Sequence, residues 1–206
     1  MKARAFDVET MFAEPCFRTN IADAIAPEQE HFVKGLAMLD DQVNRISEEL
    51  YLLERPEMAS IRAAVQEALD TYAREVMGIS ARLEVTRSWS LTNPPGVGMH
   101  GHTHSNALVS GSLYYTDLPD PPGNMIFERH DTCGRLEIAV GDTGRNVSDA
   151  QRNALVPARG DLVLFPSALE HYVETNTSGV DRHSIAFDTL VRGRPGSSRD
   201  VSEPEL

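Results

Sequence analysis

The sequence predicts a mainly β fold with helices gathered towards its N-terminal end, on three observations. Helical periodicity is confined to residues 27–78. Beyond Gly78 the chain turns into short segments rich in β-branched and aromatic residues, broken repeatedly by Gly, Pro and Asp. The breaks recur often enough to favour a sandwich or barrel. Helices first and strands after would let the helices brace one outer face of the sheet.

The helical part opens at Pro27, followed by Glu28, Gln29 and Glu30, a pattern that suits the first turn and its dipole. Phe32, Val33, Leu36, Met38 and Leu39 recur near helical spacing. Residues 41–53 read as a short second helix or a loop. Pro56 then precedes a clearer helix with Ile61, Val65, Ala68, Leu69, Tyr72 and Val76 on one stripe and Gly78 as its stop. Such a stripe is core contact far more often than a partner groove.

The expected strands are Leu83–Leu91, Gly98–His104, Ala107–Thr116, Asn124–Phe127, Leu136–Val140, Asp161–Phe165, His171–Glu174 and Arg182–Asp188. Residues 141–158 are polar and weakly periodic, as in a long lid or binding loop. The tail from Gly193 onward is expected to fray. With 206 residues the chain suits one domain spanning 1–206: a helical part at 27–78, a β core at 82–192 and a flexible tail at 193–206.

Composition narrows the function classes. Apolar residues make up 41% and charged residues 24%, as in ordinary soluble globular proteins. No run approaches the roughly 18 apolar residues of a membrane span. Residues 1–12 hold no apolar signal core, so a cytoplasmic protein is expected. Cys16 and Cys133 are then expected to be free thiols, and neither lies in a C-x-x-C pair. With 31 acidic against 19 basic residues, the net charge of −12 disfavours binding to a nucleic-acid backbone.

The chemistry concentrates in a few motifs. His100, His102 and His104 alternate in G-M-H-G-H-T-H-S-N, and alternate positions of a strand share one face. Neutral imidazole is a good ligand for iron, zinc or copper. S-G-S-L-Y-Y-T follows at Ser110–Thr116, then G-D-L-V-L-F-P-S-A-L-E-H-Y-V at Gly160–Val173, which delivers His171, and R-H-S-I-A-F from Arg182. Two ligands from one strand and a third from a distant strand make a facial metal site with open positions. An Arg on a following strand could fork onto a carboxylate. His100 stays open as a substrate contact or as a ligand in a register shifted by two. Asp161 is read as a turn residue, and His31, His130 and His183 as ordinary.

In this order, over about residues 86–190, the motifs resemble those of a bacterial and phage group of iron(II)- and 2-oxoglutarate-dependent oxygenases. The resemblance implies a double-stranded β-helix (jelly roll), Fe(II), 2-oxoglutarate and O2 as cosubstrates, and hydroxylation of a small molecule or side chain. By position, His102 resembles the first ligand and His171 the distal one, while His104 stands where the wider superfamily carries Asp or Glu. Arg182 and Ser184 resemble the pair that holds the far carboxylate of 2-oxoglutarate, with Tyr115 adding a phenol hydrogen bond. Because of His104, two other readings stay open: a three-histidine, cupin-like dioxygenase without 2-oxoglutarate, and a metal- or ligand-binding jelly roll without turnover. Jelly rolls often pair through sheet edges or appended helices, so a homodimer is a candidate assembly.

Overall fold

A computed structural model describes residues 13–41, 43–129 and 150–193. The strands among them are β1 (Phe17–Asn20), β2 (Met38–Asp41), β3 (Asn44–Ser47), β4 (Arg82–Asn93), β5 (Met99–His102), β6 (Val109–Leu113), β7 (Met125–Glu128), β8 (Arg152–Leu155), β9 (Asp161–Pro166), β10 (Glu170–Val173) and β11 (Arg182–Arg192). They form one sheet in the order β1-β9-β6-β11-β4-β3-β2 and a second in the order β5-β10-β7-β8. Every described strand pairing is antiparallel. The result is a double-stranded β-helix.

Two helices precede the barrel. Helix α1 (Pro27–Lys34) starts on Pro27, and the Gln29 side chain accepts the backbone N–H of Ala26 at 2.8 Å. That bond satisfies a donor the first turn would otherwise leave unpaired. Helix α2 (Ala59–Thr71) runs into a single π-helical turn, Tyr72–Val76. The wider turn displaces the stripe read from the sequence. Tyr72 and Ala73 are buried, whereas Val76 is 37% exposed. Gly78 then ends the segment at φ 65°, a left-handed backbone suited to glycine.

Alternation along the central strand β11 builds two cores. On the outer face, Ile185, Phe187 and Val191 join Val109, Leu113, Leu162 and Leu164 against Ile61, Val65 and Leu69 of α2. Each of those three helix residues is fully buried, worth about 1.5–3 kcal/mol apiece relative to exposure. On the inner face, Tyr114, Met125, Phe127, Val163 and Phe165 pack between the two sheets.

Part of the expected helical stretch is not helical. Met38–Asp41 and Asn44–Ser47 pair as β2 and β3, and β3 extends the larger sheet through pairing of Arg45 with Thr92 and Ile46 with Leu91. Strand β1 was not expected either, and β8 lies inside the expected loop at 141–158. The expected strand Leu136–Val140, together with Cys133, His130 and the tail from 194, lies outside the described residues.

Candidate metal centre

Strands β5 and β10 pair so that His102 and His171 are direct partners, with ring centroids 4.4 Å apart. The ladder is irregular just beyond this pair, where Val173 meets Met99 and β5 holds one extra residue. That bulge interrupts the alternation H-x-H-x-H. His100 is exposed and outside the cluster of ligand atoms; its carbonyl accepts a hydrogen bond from His102. His104 lies just past β5, anchored by its backbone N–H donating to the Ser167 carbonyl at 2.9 Å. The ring nitrogens available for coordination on His102, His104 and His171 all lie within 4.8 Å of one another.

Hydrogen bonds also determine which nitrogen each ring presents. Nδ1 of His102 lies 2.8 Å from the His100 carbonyl, Nδ1 of His171 lies 3.0 Å from the Leu169 carbonyl, and Nδ1 of His104 lies 2.7 Å from Oδ1 of Asp188. Carbonyl and carboxylate oxygens only accept, so each Nδ1 carries a proton, and in the neutral ring that leaves the lone pair on Nε2. Burial pushes His171 down to about 3 and lowers His102 as well, despite the opposing backbone hydrogen bonds. These two rings are therefore neutral at physiological pH, the form that binds metal.

Aromatic groups close around the cluster. Trp89 stacks on His104 at 6.0 Å, and Phe165 meets His171 edge-on at 4.6 Å. Both line the cavity that the histidines share with Arg182, Ser184 and Tyr114.

The inner face of β11 carries Arg182, Ser184 and Ala186 in alternate positions along this cavity and then Asp188 behind His104, partnered by Asn93, Leu91, Trp89 and Arg87 of β4. Arg182 is 2% exposed, and its Nε and Nη2 have no hydrogen-bond partner. Its guanidinium lies over the Tyr114 ring, 5.1 Å from the centroid. A buried cation without an acid is costly unless an anionic ligand completes it. Three imidazoles converging on one point, and a guanidinium with Nε and Nη2 unpaired in the same cavity, fit a metal ion and a dicarboxylate.

Tyr115 does not belong to this site. Just past the end of β6 at Leu113, Tyr114 lines the cavity while Tyr115 lies in the outer core under the helices. Burial there raises its phenol to about 12. His183 faces the same outer side, its Nδ1 3.0 Å from the Thr92 hydroxyl. Asp161 holds structure: it pairs with Arg18 of β1 and accepts the Ala158 N–H at 2.7 Å. His31 is exposed on α1.

Residues not singled out from the sequence also contribute. Asp188 and Ser110 stand behind His104, and Asn44 of β3 lines the cavity fully buried, with both amide atoms unpaired. Asp188 was detectable in principle as the next inward position after Arg182, Ser184 and Ala186. Asn44 sits in a segment with no strand signal.

Comparison with known proteins decides the family. Residues 87–188 match a family profile described as "Putative 2OG-Fe(II) oxygenase". The chain belongs to the 2OG-Fe(II) oxygenase family. The matched segment of the oxygenase begins beside Trp89 and ends on Asp188, so it spans all three clustered histidines and Arg182. No curated protein matches by sequence.

Solved structures share the fold of this oxygenase at low identity. A 2OG-Fe(II) oxygenase family oxidoreductase from Burkholderia pseudomallei aligns with TM-score 0.61 and 12% identity, over 84% of this chain and 83% of its own. A prolyl-4-hydroxylase from Pseudomonas putida aligns with TM-score 0.60 and 15% identity, over 87% and 94%. HygX from Streptomyces hygroscopicus, solved with nickel and 2-oxoglutarate bound, aligns with TM-score 0.60 and 14% identity, over 85% and 82%. The oxygenase uses iron and 2-oxoglutarate as its family does. No helix among its described residues is long and apolar enough to cross a membrane.

Proposed function

We propose that this oxygenase holds iron(II) on the Nε2 atoms of His102, His104 and His171 and binds 2-oxoglutarate with Arg182 and Ser184, hydroxylating a substrate that enters the same cavity. With both groups bound, the centre reduces O2, converts 2-oxoglutarate to succinate and CO2, and transfers one oxygen atom to the substrate.

The protein's own part is placement. The three Nδ1–H bonds hold each ring with its lone pair towards the shared point, so little reorganisation accompanies metal capture. Arg182 offers Nε and Nη2 as a fork, and the Ser184 hydroxyl sits two residues on along the same face. Trp89, Phe165 and Phe127 keep the ligand end dry, which strengthens each charge-assisted bond inside.

The unpaired guanidinium of Arg182 carries the reading. A cupin-like dioxygenase needing no 2-oxoglutarate would have no use for a buried fork without an acid beside its metal ligands. The test is 2-oxoglutarate turnover by anaerobically iron-loaded protein. Succinate should form only when O2 and 2-oxoglutarate are both supplied, and its absence from correctly loaded protein would overturn the reading.

The same reading gives one catalytic unit with the core at 82–192, working in the cytoplasm. Its substrate is a small molecule or a protein side chain. The net charge of −12 supports this over a nucleic acid, and a homodimer is the proposed assembly.

A further inference from the structure

His104 occupies the place where the resemblance leads one to expect a carboxylate, and a carboxylate lies directly behind it. Oδ1 of Asp188 is 2.7 Å from Nδ1 of His104. The same oxygen accepts the Ser110 hydroxyl at 2.8 Å, and Ser110 in turn contacts the Ser167 hydroxyl at 2.9 Å. Ser167 closes the loop, because its carbonyl accepts the His104 backbone N–H. Asp188 is 7% exposed and makes no ion pair with any Arg or Lys among the described residues. A buried carboxylate held only by a serine hydroxyl and an imidazole N–H is best compensated when a cation lies on the far side of that imidazole.

We propose that Asp188 is a positioning residue that supplies, from one layer out, the negative charge that a ligating carboxylate would bring to the iron. This rests on the three-histidine metal site proposed above. A divalent ion on three neutral imidazoles leaves a local charge of about +2; adding Asp188 brings it to about +1, as in a two-histidine, one-carboxylate centre. Polarisation of the His104 N–H towards Asp188 makes Nε2 a stronger donor.

The backbone is arranged for this contact. The pairing of β11 with β4 shifts register between Asp188 and Thr189, where β4 carries Thr86 as an extra residue. Thr86 donates its hydroxyl to the Asp188 carbonyl at 3.2 Å, and Thr189 donates to the Val109 carbonyl at 2.7 Å. The bulge thus pins the backbone on both sides of the carboxylate.

Charge and hydrogen bonding can be separated by substitution. Asp188→Asn keeps an acceptor for the His104 N–H and removes the charge, while Asp188→Ala removes both. Both variants should bind Fe(II) at least about tenfold more weakly than wild type, with Ala the weaker. The Fe(III)/Fe(II) midpoint potential of the Asn variant should move positive, because lost negative charge favours the reduced ion. In the metal-free protein, ring-nitrogen NMR shifts should report His104 protonated on Nδ1 in wild type and in the Asn variant, but not in the Ala variant.

A charge exchange guards against misfolding as the explanation. His104→Asp alone places two carboxylates side by side and should bind Fe(II) worse than the double variant His104→Asp/Asp188→Asn. Wild-type protein that holds no iron would refute the site itself. Wild type that binds iron, with the Asn variant matching it within twofold in affinity and unshifted in potential, would refute the role of Asp188 alone. A double variant no better than the His104→Asp single would refute it too.

Discussion

His102 and His171 face each other across the β5–β10 ladder, and the 4.4 Å between their rings is a consequence of strand register. A slip of one residue would turn His171 out of the barrel and put Glu170 or Tyr172 in its place. His171→Ala should therefore abolish iron retention, not merely slow turnover, because the two remaining rings cannot form a facial set. Metal analysis of anaerobically prepared protein should fall from one iron per chain to near none, and an unchanged stoichiometry would remove His171 from the ligands.

Arg182 makes a separable contribution. Arg182→Met should leave iron stoichiometry intact while weakening 2-oxoglutarate binding by about 10- to 150-fold, as expected for loss of charged hydrogen bonds worth roughly 1.5–3 kcal/mol. Titration of the metal-to-cosubstrate absorption band measures it. The ligand-free variant should be no less stable than wild type, since the lost charge is buried and unpaired. Iron loss in this variant would contradict the division of labour.

Gly111 explains the middle of S-G-S. Ser110 and Ser112 face inwards, so Gly111 faces the helices, where an added Cβ would collide with the Phe187 ring. Gly111→Ala should cost about 1–3 kcal/mol through overpacking. Chemical denaturation checks it, and a stability equal to wild type would mean Phe187 has room to move.

His183 sets a pH dependence away from the metal. Burial, with Lys34 adding a smaller effect, lowers its folded pKa below the usual 6.5. The unfolded chain then binds the proton more readily, so this contribution to stability is present above about 6.5 and fades as pH falls towards the folded value. Denaturation of wild type and His183→Gln between pH 7.5 and about pH 5 should show wild type losing stability more steeply over the lower part of that range. Parallel curves would rule this out.

Which elements were legible follows from where they sit. β4, β6, β9 and β11 each have a neighbour on both sides; β9 reads as an apolar run, and the others carry alternating apolar, β-branched or aromatic residues that mark a strand. Of the unexpected strands, β1, β2 and β8 are edge strands of four residues, reading FRTN, MLDD and RNAL, while β3, reading NRIS, is internal but pairs with β4 only at Arg45 and Ile46. An edge strand needs one neighbour and no apolar face, so its sequence need not announce it. The π turn at Tyr72–Val76 was hidden for a related reason: periodicity averages over a turn and misses one inserted residue.

By itself, the sequence determined the residue types and their spacing: imidazoles two apart, a distant third, and an Arg-x-Ser that alternation places on one face. Those are local properties, because side-chain direction along a strand repeats every second residue. Only the tertiary structure decided which face is inside. It placed Tyr114 rather than Tyr115 in the cavity, left His100 out of the cluster at a bulge, and brought Asp188 behind His104 from a strand far along the chain. Register between strands is set by whole-sheet packing and not by any one segment, which is why these choices were not written locally.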